Sequence, residues 1–133
     1  LLLTRSLASA HRIAEILDEN IVLTSPENGV KKVKDGSIDF ENVSFKYRED
    51  AREYALENVN LHIQAGQTIG VIGTTGSAKT TLVQLIPRLY DATTGVVRVG
   101  GVNVRDYDLS VLRDSVNITL QKNVLFQELC VKI

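Results

Sequence analysis

The chain has 133 residues, with 15 lysines and arginines against 16 aspartates and glutamates, which gives a formal net charge of −1. This length suffices for one domain with a hydrophobic core, and 44% of the residues are hydrophobic. The near-neutral charge excludes the uniform positive field of a nucleic-acid binder, so we expect no nucleic-acid partner. A single cysteine, Cys130, excludes an internal disulfide and is typical of an intracellular protein.

The first segment carries apolar residues in steps of three and four from Leu3 to Leu17. This spacing predicts an amphipathic helix over residues 3–19. A turn cluster at 24–29 and a lysine-containing polar stretch at 31–34 predict a connector after the helix. We therefore expect residues 1–35 to be a linker helix with its connector, and the domain proper to begin at Gly36.

Apolar and polar residues alternate in two segments after Gly36, and this alternation predicts two strands. The first spans residues 37–47, where Glu41 and Asn42 interrupt the alternation and predict a bulge or a turn. The second spans Val59–Ile63. Two apolar runs, at 68–72 and 116–120, predict two further strands, and the first of these is expected to be fully buried.

The residues that carry chemistry directly follow the run at 68–72, and they are Gly73, Thr74, Thr75, Gly76, Ser77, Ala78, Lys79, Thr80 and Thr81. They open a segment whose apolar residues have helical spacing. The order of strand, glycine loop and helix suits phosphate, because loop N–H groups converge on the anion and the helix N-terminus adds positive potential. Lys79 adds a charge, and Thr80 adds a hydroxyl able to coordinate Mg²⁺.

The loop departs from the phosphate-binding pattern G-x-x-x-x-G-K-[ST] at Ala78, where the pattern has glycine. This position lies at the predicted start of the helix, where φ is expected to be about −60° and a side chain is allowed. We therefore expect the alanine to be tolerated, with some weakening of binding. The alternative is a glycine-containing strand-to-helix turn in which the lysine and threonine are incidental.

With these features, the sequence resembles the nucleotide-binding domain of ABC transporters of the exporter type, in which a membrane domain precedes the ATPase. The resemblance runs from about Ala8 to Phe126. Beyond the glycine loop, it rests on the segments 10–19, 40–47, 56–59, 95–97, 102–112 and 120–126. It implies an α/β fold, namely a P-loop NTPase core fragment with an antiparallel β-subdomain, preceded by a linker helix.

The resemblance also implies roles for single residues. Tyr47 corresponds to the family's aromatic residue that stacks on adenine, although its place in an alternating segment is also typical of a core strand residue. Gln121 corresponds to the glutamine of the Q-loop, whose amide oxygen can reach Mg²⁺ or the attacking water while its loop contacts the membrane domain. The alternative is an exposed loop amide. ATP and Mg²⁺ are then the expected ligands, with Thr80 and Gln121 at the metal.

The partners that the resemblance implies are the membrane-spanning domain of an exporter and a second nucleotide-binding domain, identical or different, at the cytoplasmic face of the cell membrane. After Phe126 the family continues with a signature motif, a Walker B strand ending in Asp-Glu and a switch histidine. The 133 residues contain none of the three. We therefore expect a chain that is cut short after about Phe126 and that binds ATP without hydrolysing it, with no catalytic residue assigned.

An alternative function is a non-catalytic interaction fragment that docks on a membrane domain or a partner ATPase subunit. A kinase or GTPase with a similar glycine loop is disfavoured, because an aromatic strand precedes the loop and the run 120–126 follows it.

Overall fold

A computed structural model describes residues 2–18 and 23–119 of the chain. Gln121 and the run 120–126 lie outside the described residues. Helix α1 (Leu2–Leu17) confirms the predicted N-terminal helix. Within the described ranges, no helix has both the length and the apolar character needed to cross a membrane.

A four-stranded antiparallel sheet forms the centre of the fold. Its strands are β1 (Ile38–Phe45), β2 (Leu56–Ile63), β3 (Thr94–Val99) and β4 (Val102–Asn103), in the order β2-β1-β3-β4. The sheet confirms the predicted antiparallel β-subdomain. Two of its strands match predicted ones, although β2 begins at Leu56 rather than at Val59.

The predicted bulge in β1 is present at Asn42, where the pairing of β1 with both neighbours shifts register. Asn42 has a φ of 48°, and Gly95 on the facing strand has a φ of 81°. A Cβ at Gly95 would collide with the backbone of Glu41 and Asn42. The bulge therefore requires glycine at position 95, both for its left-handed backbone and for the close approach of the two strands.

The hydrophobic core lies between the sheet, helix α2 (Lys79–Leu85), a short 3₁₀ helix (Val104–Asp106) and helix α3 (Leu109–Ser115). Its buried members are Phe40, Val43, Phe45, Leu85, Val97, Val99, Val104, Tyr107 and Leu112. Tyr107 satisfies its hydroxyl by donating to the carbonyl of Val99 at 2.8 Å. The apolar spacing of the segment after the glycine loop is thus explained by Leu85, which is buried in this core, and by Leu82 and Ile86, which pack against it.

The prediction of strands at 68–72 and 116–120 is wrong for the residues described. Residues 68–72 form no strand, and Ile72 is 99% exposed. Residues 116–119 follow α3 without forming a strand. A strand needs a neighbour to satisfy its backbone N–H and C=O groups. All strands in the described ranges belong to the sheet β2-β1-β3-β4, and neither segment pairs with a strand of that sheet.

The connector is hydrogen-bonded to the domain that follows it. The amide of Leu109 donates to Ser25 Oγ at 2.9 Å, and Val30 pairs with Tyr107 in an isolated parallel bridge. The amide of Val30 donates to the carbonyl of Asp106 at 2.9 Å. These contacts fix the path of the chain into β1, while the predicted boundary at Gly36 stays a prediction.

Candidate functional site: a glycine loop beside a tyrosine-lined cavity

The glycine loop joins the exposed segment 68–72 to helix α2. Gly76 and Ala78 both have left-handed backbones, with φ of 87° and 55°. Left-handed and right-handed residues in succession turn several backbone N–H groups toward one side and make a concave site for an anion. A Cβ at Gly73 would collide with Ser77 Oγ, so a larger residue at this position would require the Ser77 side chain to move.

The ammonium group of Lys79 lies within the loop. Its Nζ donates to the carbonyls of Gly73 and Thr74, each at 2.7 Å, and to Ser77 Oγ at 3.0 Å. An ammonium group has three donors, and all three are used here. An anion that binds Lys79 therefore has to replace at least one of these loop contacts.

The helical φ expected at Ala78 is wrong, because the residue has φ 55° and ψ 22°. Ala78 occupies the N-cap position of α2 without a side-chain hydrogen bond. A left-handed backbone costs an alanine about 1–2 kcal/mol, because its Cβ crowds the following carbonyl, whereas glycine has no such cost. The departure from the loop pattern is therefore strained rather than neutral.

We expect Ala78→Gly to raise the free energy of unfolding by about 1 kcal/mol, since it removes this steric cost. Urea unfolding followed by circular dichroism measures the change. Ala92→Gly serves as the matched control, because Ala92 is not among the residues with positive φ. That control should lose stability through the added freedom of the unfolded chain. An equal loss in both variants would contradict the strain at Ala78.

A cavity of about 410 Å³ lies beside the loop. Its walls are Tyr47, Tyr54, Ala55, Gly76, Ser77, Ala78, Lys79, Thr80 and Thr81. The structure thus brings Tyr47 together with most of the predicted loop residues around one cavity. Gly73, Thr74 and Thr75 lie in the adjoining part of the loop, and Gln121 is outside the described residues.

The side chain of Tyr47 is held in place although it is 55% exposed. Its hydroxyl is hydrogen-bonded to Thr81 Oγ1 at 2.6 Å. Its ring meets those of Phe45 and Tyr90 nearly at right angles, with centroids 4.9 and 5.4 Å away. Because β1 ends at Phe45, the alternative of a core strand residue at position 47 is wrong.

Tyr54 is a lining residue that the sequence patterns did not predict. It lies just before β2, as Tyr47 lies just after β1, and these strands pair with Phe45 opposite Leu56. In an antiparallel pair of consecutive strands, the end of the first strand lies beside the start of the second. The order of the two predicted strands therefore indicated that residues just after β1 lie close to residues just before β2. The sequence pattern predicted that β2 begins at Val59, three residues after its observed start at Leu56. This error concealed the closeness of Tyr54 to Tyr47.

Within the described part of the chain, no group of three or more histidine, cysteine, aspartate or glutamate side chains could hold a metal ion. The cavity walls are also free of acidic residues. The oxygen-bearing side chains in these walls are hydroxyls, those of Ser77, Thr80, Thr81 and the two tyrosines.

Comparisons with known proteins agree with this geometry. A family model described as ABC transporter matches residues 56–132. Bacillus subtilis YgaD, whose name describes a multidrug export ATP-binding/permease protein, is 42% identical over 127 residues, which are 95% of this chain and 22% of YgaD. The ATP-dependent lipid A-core flippase of Coxiella burnetii is 31% identical over 124 residues, 93% of this chain and 21% of the flippase.

The fold is also similar to a solved structure, that of a bacterial Atm1-family ABC exporter with ATP bound. The two superpose with a TM-score of 0.76 at 26% sequence identity, over 92% of this chain and 22% of the exporter. The chain thus spans about a fifth of the length of the relatives that it matches.

Proposed function

Because this chain belongs to the ABC transporter family and has the P-loop ATPase fold of that family, we propose that it binds ATP as part of an exporter's nucleotide-binding domain. The observation that carries this proposal is the cavity of about 410 Å³ at which the glycine loop, Lys79 and Tyr47 meet. The similar fold of an exporter with ATP bound supports it.

The chemistry of the cavity suits a nucleoside triphosphate. The phosphates need converging donors and positive charge, which the backbone of the loop and Lys79 supply. The base needs a flat π surface, which the exposed ring of Tyr47 supplies. The volume of about 410 Å³ lies within the range of about 300–1,000 Å³ that is typical of small-molecule sites.

Mg²⁺ bound with ATP would neutralise charge on the β- and γ-phosphates. We propose Thr80 as a metal ligand, because it lines the cavity next to Lys79 and carries a hydroxyl that can coordinate Mg²⁺. The resemblance of the sequence assigns Gln121 as a second ligand. The remaining positions in the coordination sphere would be filled by phosphate oxygens and water, as is usual for Mg²⁺.

For the whole protein, we propose a membrane-spanning domain attached through residues 1–35, with the ATP site at the cytoplasmic face of the cell membrane. The names of the relatives, which combine ATP-binding and permease parts, support this arrangement. A second nucleotide-binding domain is the further proposed partner. Helix α1 supports a partner too, because Ile13, Ile16 and Leu17 are 60%, 76% and 78% exposed.

We expect the 133-residue chain to bind Mg·ATP without hydrolysing it. Phosphoryl transfer requires a residue that orients the attacking water and donors that stabilise the developing charge. The described cavity walls include no carboxylate that could orient water. Phosphate release by the purified chain should therefore equal that of Lys79→Ala, and a clearly higher rate would contradict this prediction.

The second candidate function is a non-catalytic interaction fragment, which the exposed apolar face of α1 favours. A titration with Mg·ATP, followed by equilibrium dialysis, separates the two candidates. Saturable binding of one ATP per chain supports the proposed function. No binding by a chain that circular dichroism shows to be folded supports the interaction fragment instead.

A further inference from the structure

Tyr54 lines the same cavity as Tyr47 and has 41% of its surface exposed. Neither the family match nor the glycine loop assigns a role to this residue. The partly exposed ring of Tyr54 therefore borders the cavity that Tyr47 and the loop also line. An exposed aromatic ring beside a cavity can contact a flat ligand at little cost in conformational entropy, because its side chain has only two rotatable bonds.

The contacts of Tyr54 hold it at the cavity. The ammonium of Lys46 lies 4.4 Å from the centroid of the Tyr54 ring, a cation–π contact that occupies one face. The same Nζ donates to the carbonyl of Ala51 at 2.7 Å and so ties down the loop before Tyr54. On the other side, the amide of Ala55 donates to the carbonyl of Phe45 at 2.8 Å.

We propose that Tyr54 is the second aromatic wall of the base pocket, and that Tyr47 and Tyr54 together favour a purine base over a pyrimidine. This inference rests on the proposed function, in which the phosphates bind at the glycine loop. The larger ring system of a purine can stack on one tyrosine and still reach the other. A single-ring base that stacks on Tyr47 gains less from the second wall, so the preference depends on Tyr54.

The first experiment measures the binding of ATP, CTP and inorganic tripolyphosphate to the 133-residue chain and to Tyr54→Ala by isothermal titration calorimetry. We expect Tyr54→Ala to bind ATP about fivefold to tenfold more weakly, because it loses an aromatic contact with the base. CTP binding should weaken by less than ATP binding. Tripolyphosphate binding should not change, because it has no base.

The control variant is Glu57→Ala, which shortens an exposed side chain on β2 that is not among the cavity walls. It should bind all three compounds like the unsubstituted chain. Tripolyphosphate binding by Tyr54→Ala also shows that the loop is still folded.

A second variant, Tyr54→Trp, reports on the contact directly, because the chain contains no other tryptophan. We expect ATP to change the tryptophan emission and tripolyphosphate to leave it unchanged. Two results would overturn the role of Tyr54 while leaving the proposed function intact. In the first, Tyr54→Ala binds ATP as well as the unsubstituted chain does. In the second, the unsubstituted chain binds ATP but ATP leaves the emission of Tyr54→Trp unchanged. If the unsubstituted chain is folded and binds no ATP, the proposed function is overturned, and the second wall with it.

Discussion

Lys79→Ala should weaken the binding of Mg·ATP to this chain by about tenfold to a hundredfold. A hydrogen bond to a charged group is worth about 1.5–3 kcal/mol, which corresponds to a change of this size in affinity. The ammonium of Lys79 already lies at the loop, where it donates to Gly73, Thr74 and Ser77. It can therefore transfer its hydrogen bonds to a phosphate without a large movement. Calorimetric titration of both chains measures the difference.

Two controls make this result specific. Lys31→Ala removes an exposed lysine of the connector and should leave the affinity nearly unchanged, which excludes a general effect of net charge. The affinity for tripolyphosphate should fall in Lys79→Ala by about the same factor as the affinity for ATP, because Lys79 contacts the phosphates. Equal ATP affinity in Lys79→Ala and in the unsubstituted chain would contradict the placement of the phosphates at the loop.

Asp91→Ala should lower the free energy of unfolding by about 2–3 kcal/mol, because it leaves a buried cation without its partner. The side chain of Arg88 is 9% exposed, and it meets Asp91 with two hydrogen bonds of 2.8 and 3.2 Å. Weaker bonds from Arg88 to the carbonyls of Thr24 and Arg105, at 3.3 and 3.4 Å, would remain. Urea unfolding measures the loss.

The matched control for this variant is Asp50→Ala. Asp50 pairs with Arg48 at 2.8 Å, but both side chains are at least 70% exposed. An exposed pair contributes about 0–1 kcal/mol, so this variant should be nearly as stable as the original chain. If both aspartate variants lost the same stability, the burial of Arg88 would not be the cause.

The pair of Arg88 and Asp91 also predicts a dependence of stability on pH. Partial burial raises the pKa of Asp91, but the hydrogen bonds and charges of Arg88 and Arg105 outweigh it and hold the pKa below its ordinary value of 3.8. A lowered pKa in the folded chain means that the unfolded chain takes up the proton first. The contribution of Asp91 is therefore complete above pH 3.8 and is lost as the pH falls through the lower pKa of the folded chain.

Local patterns predicted the parts of the fold that depend on nearby residues. The alternation in 37–47 located β1, and the interruption at Asn42 located its bulge, because both follow from the two-residue period of a strand. The run at 68–72 has the composition of a buried strand, but composition does not specify a neighbour. Without a paired strand in the described residues, the run is exposed.

The glycine loop could be predicted from its sequence, but two features of the site could not. The left-handed backbone of Ala78 depends on how the whole loop closes over Gly73 and Ser77, and the local helix pattern contains no such information. The approach of Tyr54 to the cavity depends on the pairing of β1 with β2, and a start of β2 three residues too late was enough to conceal it.

ATP binding at the glycine loop is tested most directly by titrating the ¹⁵N-labelled chain with Mg·ATP while the backbone amide resonances are recorded in NMR spectra. The largest shifts should fall on residues 73–81, with smaller shifts at Tyr47, because these residues border the proposed phosphate and base positions. Saturation of these shifts should yield one dissociation constant. Shifts confined to other parts of the chain, or unchanged resonances for residues 73–81 at saturating Mg·ATP, would contradict ATP binding at the glycine loop.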